Sequence, residues 1–353
     1  MSMKKVVILA AAALTLAACA KTYELQENAQ PKIGFSTWNE TMTKAAKTAF
    51  AANDEFDVYG FKWNAGPANQ TTVFDGVDVK FDGTKWSYSP LRFWDSNFDN
   101  YTFFAAYPKD QLADGEYAQN GYFVSQNLAY DGQKEVLLVA QKKDVEKTNY
   151  NKTVELKFKH VGSLVDIKVK KHSDIESAKV EVTSIAVSGI KTTGAFTVSS
   201  YDASNNPVGS WAATSAVNDA TVAPYHSNST VTLAKNAGVG TANASNLLTD
   251  LVLMPQELAK DGGPKITISY KITTGEDATA DEITFSDKSF YFGQFDKSEE
   301  GESEKANKEN DRISAWMPGV HYTYYITINA NAITFTASID DWSTETGHYY
   351  LVY

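Results

Sequence analysis

The amino-acid sequence predicts an all-β protein made of two tandem antiparallel β-sandwich domains, and three observations support this. The chain has 19 tyrosines, 18 phenylalanines and 7 tryptophans, and such residues favour pleated, half-buried strands. Apolar and polar residues alternate over short stretches separated by turn residues, with almost no helical spacing. The length of 353 residues exceeds the roughly 150 residues of a usual domain, which predicts two domains.

The N-terminus has the layout of a bacterial lipoprotein signal. Lys4 and Lys5 precede an apolar run that is too short to span a bilayer, which needs about 20 apolar residues. Residues 16–19 read Leu-Ala-Ala-Cys and resemble the lipobox, in which the cysteine is acylated. We therefore expect a signal peptide at residues 1–18, lipid such as palmitate on Cys19, and a flexible tether at residues 19–32. An ordinary signal peptide that happens to contain a cysteine is the alternative.

The first domain is predicted over residues 33–150. Its first strand is expected at Ile33–Trp38, and residues 40–52 fit either a short helix or an extended segment open to proteolysis. Further strands are predicted at residues 56–63, 77–81, 101–107 and 136–139. Asp82-Gly83 predicts a hairpin turn after the second of these. The polar stretch at residues 141–153 interrupts the apolar pattern and places the domain boundary after residue 150.

The second domain is predicted over residues 151–353. The apolar phase slips across Gly162-Ser163, so a turn or bulge is expected there. Strands are predicted at residues 154–160, 165–169, 180–187, 231–233, 251–254, 266–272 and 283–285. The clearest hairpin joins residues 322–328 to 333–339 through a turn at residues 329–331. The charged stretch at residues 296–311 is expected to be a solvated surface loop.

No residue pattern predicts catalysis, a cofactor or a metal site. The histidines have no metal-binding spacing; they are His160, His172, His226, His321 and His348. His160 falls on the apolar phase of its strand, which favours a packed core histidine over a ligand. Asp75, Asp78 and Asp82 alternate with apolar residues, as on the solvent side of a strand, whereas a calcium loop needs turn geometry. There is no nucleophile elbow and no phosphate-binding loop, so we expect no enzyme.

The charge balance argues against two classes of partner. The chain carries 43 acidic against 32 basic side chains, a net charge of −11, and loss of Lys4 and Lys5 with the signal would make it more acidic. Such a surface repels nucleic acid and anionic lipid. The sequence therefore predicts no nucleic-acid partner.

A series of short motifs runs in a common order along nearly the whole mature chain. They are the lipobox at Cys19, Thr43-Lys44-Ala45, and residues 56–61, 92–94, 101–108, 156–160, 189–196, 253–256 and 316–324. Each motif is weak alone. In combination the chain resembles the fimbrillin family, the subunits of type V fimbriae of Bacteroides-like bacteria.

This resemblance implies two transthyretin-like β-sandwiches and a structural role in a fimbrium on the cell outer membrane. Its implied partners are other fimbrial subunits, the outer membrane through lipid at Cys19, and host or bacterial surface ligands in adhesion. In polymerising members a trypsin-like or arginine-specific protease removes the first strand. A C-terminal strand of the next subunit then fills the open groove.

Residues of this chain take these roles as follows. The first strand is Ile33–Trp38. The donor is the apolar tail Tyr349, Tyr350, Leu351, Val352 and Tyr353, unless this tail folds back on its own domain. No arginine precedes Arg92, so the expected processing sites are Lys44 or Lys47, with mature material beginning near Ala45. An uncleaved anchor or accessory subunit is the alternative.

A lipid-anchored surface glycan-binding protein of an uptake system is the alternative function. Proteins of that class are also β-rich, and exposed aromatic side chains would stack on sugars. A secreted hydrolase is disfavoured because no catalytic residues fall into a known arrangement.

Overall fold

The computed structural model describes residues 30–38, 50–66, 69–111, 128–130, 137–202, 207–214, 217–221, 223–275, 281–297, 312–330 and 333–341. Over these residues the chain forms twenty-one β-strands, which confirms the all-β prediction. Short 3-10 turns occur at Lys147–Asn149, Ser173–Ile175, Thr241–Asn243 and Phe292–Gln294. In the described part of the chain no helix is long and apolar enough to span a membrane.

The first half contributes nine strands. They are β1 (Phe35–Trp38), β2 (Glu55–Trp63), β3 (Thr71–Phe81), β4 (Trp86–Ser87), β5 (Asn100–Tyr107), β6 (Leu128–Ala129), β7 (Leu138–Glu146), β8 (Val154–Lys157) and β9 (Lys159–His160). Six of them form an antiparallel sheet in the order β4-β3-β2-β5-β7-β9. The predicted hairpin is present, because β3 pairs with β4 across the turn at Asp82-Gly83.

The first sandwich is closed by a small second layer. β1 and β8 pair with each other and cover one face of the six-stranded sheet. Alternation along the strands explains the burial, because Phe56 and Val58 of β2 point into this core and are fully buried. Phe103 of β5 and Leu156 of β8 meet them there.

The second half contributes twelve strands. They are β10 (Ser163–Lys171), β11 (Lys179–Ser188), β12 (Thr193–Tyr201), β13 (Pro207–Ala213), β14 (His226–Ser227), β15 (Val231–Leu233), β16 (Ser245–Leu253), β17 (Lys265–Thr274), β18 (Asp281–Tyr291), β19 (Asp296–Lys297), β20 (Val320–Ile328) and β21 (Ile333–Asp341). One five-stranded sheet has the order β16-β10-β20-β21-β19. The other has the order β14-β11-β17-β18, with β15 beside β14 on β11. Their facing sides enclose the second core.

A third layer connects the two sandwiches. β12 and β13 form an antiparallel hairpin, and β6 pairs with the start of β12. Phe196 and Val198 of this hairpin pack on Ala106 and Val139, on the outer face of the six-stranded sheet. We call β6, β12 and β13 the bridge layer.

The polar stretch at residues 141–153 belongs to the first sandwich. It comprises the end of β7 and the 3-10 turn before β8. The residues after it still enter the first core, where Val154, Leu156 and Phe158 are buried. The chain passes from the first core to the second between Phe158 and Val165. A strand end that faces solvent is as polar as a linker, so residue composition alone does not distinguish the two.

Three strand pairs depart from the predicted antiparallel arrangement. β1–β8, β10–β20 and β19–β21 are parallel, whereas the other strand pairs among the described residues are antiparallel. Parallel neighbours need long connections, and in each pair the two strands are far apart in sequence or separated by another strand. Local alternation predicts hairpins well but does not detect such distant pairings.

Candidate functional site

Several predicted site residues lie outside the described part of the chain. They are Cys19, Lys44, Lys47, Tyr349, Tyr350, Leu351, Val352 and Tyr353. The predicted first strand is described, and β1 confirms it at Phe35–Trp38. The candidate site is therefore built from β1 and the residues that hold it.

One edge of β1 is paired along its full length. Phe35 is opposite Val154, and the parallel register continues to Trp38 opposite Lys157. The Val154 N–H donates to the carbonyl of Gly34 at 2.8 Å. β8 is therefore the wall against which this strand lies.

The other edge is held at its beginning by residues 92–94. The Ile33 N–H donates to the Arg92 carbonyl at 3.0 Å, and the Trp94 N–H donates to the Pro31 carbonyl at 3.0 Å. The Tyr88 hydroxyl donates to the Ile33 carbonyl at 2.6 Å. Residues 31–33 thus have hydrogen-bonded neighbours at main-chain level before β1 begins.

The side chains of residues 33 and 35 enter the first core. Ile33 is fully buried and Phe35 is 6% exposed. The Phe35 ring is enclosed by four others, with centroid distances of 6.5 Å to Phe56, 5.3 Å to Phe74, 5.7 Å to Tyr88 and 5.7 Å to Phe103. Alternate residues therefore fill successive positions in an apolar slot.

Residue 37 occupies a third position with a different character. The Trp86 Nε1–H donates to Thr37 Oγ1 at 3.1 Å. The Trp86 ring is packed by Phe50 at 5.0 Å and Phe56 at 4.5 Å between centroids. We call the slot that holds residues 31–38 the β1 groove. Its walls are β8 and residues 92–94, and its floor is Phe56, Phe74, Trp86, Tyr88 and Phe103.

Phe50 is the first described residue after the predicted processing sites. Phe50 packs edge-on against Trp86, Tyr107 and Phe158, with centroid distances of 5.0 to 5.4 Å. A cut at Lys44 or Lys47 would separate β1 from this anchor and leave Phe50 attached to the sandwich.

Several hydrogen-bond donors line the β1 groove. A tyrosine hydroxyl is protonated at neutral pH, and burial raises the pKa of Tyr88 further. Arg92 lies at the rim, where its Nε donates to the Val73 carbonyl at 3.1 Å. Outside the β1–β8 ladder, the N–H groups of Trp94 and Val154 and the Tyr88 hydroxyl donate to main-chain carbonyls of residues 31–34, and the Trp86 Nε1–H donates to a side chain.

The residues considered for metal binding are placed differently. His160 is buried at 5% exposed, as its apolar phase predicted, and burial lowers its pKa to about 3. Asp75, Asp78 and Asp82 are exposed. Hydrogen bonds from Thr84 and Lys85 to Asp82 close the hairpin turn. Among the described residues no group of His, Cys, Asp or Glu is arranged to hold a metal ion.

The sequence did not reveal the role of residues 88–94. Arg92-Phe93-Trp94 stood out only as a motif of the resemblance, and Tyr88 only as part of a hairpin. Their function depends on pairing with residues 31–33, more than fifty positions earlier in the chain. The one available signal is the density of aromatic residues after a predicted turn.

Comparison with known proteins gives a family and a fold. A fimbrillin-like family model matches residues 43–342. A crystal structure of a fimbrial protein from Bacteroides vulgatus is similar over 89% of this chain and 100% of its own, with 18% identity and a TM-score of 0.56. The C-terminally truncated tip fimbrial protein Mfa3 from Porphyromonas gingivalis matches over 88% of this chain and 100% of its own, with 11% identity and a TM-score of 0.40. No curated protein sequence matches.

Proposed function

The chain belongs to the fimbrillin-like family, and from this premise we propose that it is a structural subunit of a cell-surface fimbrium. In this proposal subunits assemble by strand donation and the fimbrium contributes to adhesion. The observation that supports it best is β1, a strand that fills an aromatic groove and is followed by expected processing sites. The role is mechanical, and no catalytic step belongs to it.

Strand donation is favoured because emptying the β1 groove would remove buried side chains and hydrogen bonds that stabilise the first sandwich. Burial of a side chain such as Ile33 or Phe35 stabilises by about 1.5–3 kcal/mol, and each main-chain hydrogen bond adds about 1 kcal/mol. Removal of residues 31–38 would therefore cost several kcal/mol and expose the edge of β8. A strand from another subunit would restore both the apolar burial and the main-chain hydrogen bonds. The emptied groove would therefore bind an extended segment.

The proposed donor is the tail Tyr349–Tyr353 of a neighbouring subunit. It is apolar and rich in aromatic residues, as a segment that must enter this groove should be. It follows β21, the last strand among the described residues of the second sandwich, so each subunit would offer a donor from one domain and a groove in the other. Repetition of this head-to-tail contact gives an open filament.

Delivery to the outer membrane is the first step of the proposal. Residues 1–18 direct export, and Cys19 carries palmitate or a similar lipid, which holds the subunit at the membrane. A lysine-tolerant protease then cuts after Lys44 or Lys47 and frees the groove. If this cut does not occur, the lipid stays attached and the subunit anchors the fimbrium.

Deletion of residues 349–353 tests the donor. The full chain and the deletion variant are expressed in a bacterium that lacks its own copy, and surface filaments are counted by electron microscopy. We expect the deletion to abolish filaments while the subunit still reaches the cell surface on immunoblots. Filaments of normal number and length would remove the tail from the proposal.

Processing and lipidation have separate tests. N-terminal sequencing of subunits from sheared filaments should find a start near Ala45 or after Lys47, and Lys44→Ala with Lys47→Ala should prevent it. Intact lipid-bearing Cys19 on assembled filaments would favour the anchor role.

Labelling with radioactive palmitate should be lost in Cys19→Ala, and label that persists in that variant would contradict the lipid site.

A further inference from the structure

The outer edge of β13 is long and carries no charge. β13 lies at the end of the sheet β13-β12-β6, so within the described part of the chain β12 is its one strand partner. Neither β12 nor β13 contains Asp, Glu, Lys or Arg. The other long edge strands differ, because β18 carries four charges and β16 carries Asp250. Charges are a usual protection against pairing with another chain, so the edge of β13 is less protected than these two.

The main-chain groups of alternate β13 residues point out of this edge. The Thr214 N–H, directly after β13, donates to the Thr193 carbonyl of β12 at 2.8 Å. In an antiparallel pair, successive residues alternate between facing the partner strand and facing away from it. Counted back from Thr214, the residues that face away are Ala213, Trp211 and Gly209. The edge therefore presents three N–H groups and three carbonyls to another strand.

The side chains of β13 also allow a second copy of the chain to approach. Val208, Ser210 and Ala212 are exposed, and all three are small and uncharged. The chain as a whole has a net charge of −11, so two copies repel each other over much of their surfaces. On the neutral hairpin of β12 and β13 this repulsion is weak, which favours contact between copies there.

We propose that β13 pairs antiparallel with β13 of a second copy, about a two-fold axis at Trp211. A two-fold contact requires a patch that matches itself. In this register Trp211 lies opposite Trp211 of the second copy, and Gly209 lies opposite Ala213 at each end. All three outward N–H groups and carbonyls of each copy are then paired. A register shifted toward the start of β13 would place Pro207, which has no N–H, opposite Ala213. A shift toward its end would leave Gly209 beyond the partner strand.

This contact adds to the function proposed above and does not rest on strand donation. A two-fold pairing closes after two copies, whereas a head-to-tail contact repeats. Pairing through β13 would therefore join subunits of neighbouring filaments side by side, and it would not lengthen a filament.

Charge exchange at β13 tests whether two copies meet there. Full chains that carry Lys44→Ala and Lys47→Ala, to keep β1 in its groove, are purified in detergent, and their self-association is measured by sedimentation. Ser210→Lys with Ala212→Lys should raise the dissociation constant about tenfold or more, because like charges would lie opposite each other. Ser210→Glu with Ala212→Glu should do the same. An equal mixture of the two variants should restore association, which misfolded chains could not do.

The same two charges on β18 are the control. Thr284→Lys with Ser286→Lys adds lysines at exposed positions of another edge strand, and the dissociation constant should stay within about twofold. Equal weakening by the β18 variant would show that overall charge, and not the β13 edge, governs association. A lysine and glutamate mixture that does not associate would overturn the pairing, as would an unaltered chain that stays monomeric.

Disulfide trapping tests the register. Ser210→Cys and Ala212→Cys are placed in two chains with different epitope tags, which are expressed together and treated with a mild oxidant on intact cells. In the proposed register these positions lie directly opposite without a hydrogen bond between them, with Cα atoms about 4.5 Å apart, which suits a disulfide. The mixed dimer should exceed either like dimer about fivefold or more, because like positions are diagonal and farther apart. The unaltered chain, whose one cysteine is Cys19, gives the background.

The deletion of residues 349–353 separates this contact from strand donation. Trapping of the mixed dimer should persist in chains that carry the deletion, because pairing through β13 does not use the tail. Loss of the trapped dimer on deletion would show that it formed through the donated strand, and it would overturn the lateral contact. Equal yields of mixed and like dimers would overturn the register at Trp211.

Discussion

Asp57 shows how a single buried carboxyl group makes the first sandwich sensitive to pH. It is 5% exposed on β2, and Asp78 lies directly opposite on β3. The Asp110 N–H donates to Asp57 Oδ2 at 2.7 Å, and Lys109 pairs with Asp78 and Glu55. Burial is the main cause that raises the pKa of Asp57 to about 6, from 3.8. The neighbouring carboxylates of Asp110 and Asp78 add to the increase.

The direction of the stability change follows from that raised pKa. Between about pH 4 and pH 6 the folded chain holds a proton on Asp57 that the unfolded chain has released, so stability rises as pH falls through this window. We expect the contribution of Asp57 to make the free energy of unfolding about 1–3 kcal/mol lower at pH 7.5 than at pH 4.5. Asp57→Asn should remove this dependence in urea titrations at both pH values. Asp75→Asn, on the exposed side of β3, is the control. If this variant loses the pH dependence equally, the dependence does not come from Asp57.

Lys171 is a buried cation that ties three segments together. It is 1% exposed, and its Nζ donates to the carbonyls of Glu176 at 2.9 Å, Ala178 at 2.7 Å and Ala234 at 2.7 Å. These bonds use all three ammonium protons. Burial lowers the pKa of Lys171, but the hydrogen bonds to the three carbonyl groups offset part of the cost of desolvating its charge.

Lys171→Met should therefore destabilise the second sandwich strongly. Methionine fills a similar volume but leaves three carbonyl groups without their donor, each at a cost of about 1–3 kcal/mol. We expect a total loss of about 3–5 kcal/mol in urea unfolding. Lys168→Met, on the same strand and half-buried, should lose less than about 1 kcal/mol. Equal losses in the two variants would show that the carbonyl contacts contribute little.

At the scale of a strand, the packing of β1 depends on one side chain, that of Phe35. Phe35 fills the centre of the β1 groove, whereas Ser36 points the other way and is half-buried. Phe35→Ala in the full chain should lower the free energy of unfolding by about 3–5 kcal/mol, because the ring leaves a cavity among four others. Ser36→Ala should change it by less than about 0.5 kcal/mol. Tryptophan fluorescence during urea unfolding measures both, and similar values would mean that β1 is not a core strand.

The strands also show how far sequence patterns reach. Alternation predicted the β3–β4 and β20–β21 hairpins, the first strand and the central strands, because these features depend on residues close together in the chain. It missed the parallel partners of β1 and β10, because local alternation carries no record of distant pairing. It missed the β12–β13 hairpin for another reason: few residues of these two strands are apolar and buried, so their alternation is weak. The same limit applies to the site. The strand in the groove was predicted, but Tyr88, Trp86 and residues 92–94 were not.

On the scale of the whole molecule, the free strand edges are distributed unevenly. The six-stranded sheet ends in two-residue strands, β4 and β9, which offer little to another chain. The longer edge strand β18 carries charges at residues 281, 282, 287 and 288, which discourage pairing. Against these protected edges, the β1 groove combines a main-chain edge with an apolar slot. The edge strands β13 and β16 are also long, so the β1 groove is distinguished by its apolar slot and not by an open main-chain edge alone.

The bridge layer packs against both sandwiches, and Trp211 of β13 is central to it. Its ring lies 5.2 Å from those of Tyr130 and Phe196 between centroids, and it packs on the hydrophobic clusters of both sides. Its Nε1–H donates to the Val161 carbonyl at 3.1 Å, at the point where the chain passes between the two cores.

We therefore expect Trp211→Ala to uncouple the sandwiches. The half-buried ring should cost about 2–4 kcal/mol, somewhat less than a fully buried tryptophan. In calorimetry a single cooperative transition should split into two, because each sandwich keeps its own core but loses the contact that joins their unfolding. Val208→Ala removes an exposed apolar side chain from the same strand, 45% exposed, and should preserve one transition. One unchanged transition in Trp211→Ala would show that the sandwiches are coupled by the rest of the bridge layer, with Trp211 as an ordinary surface contact.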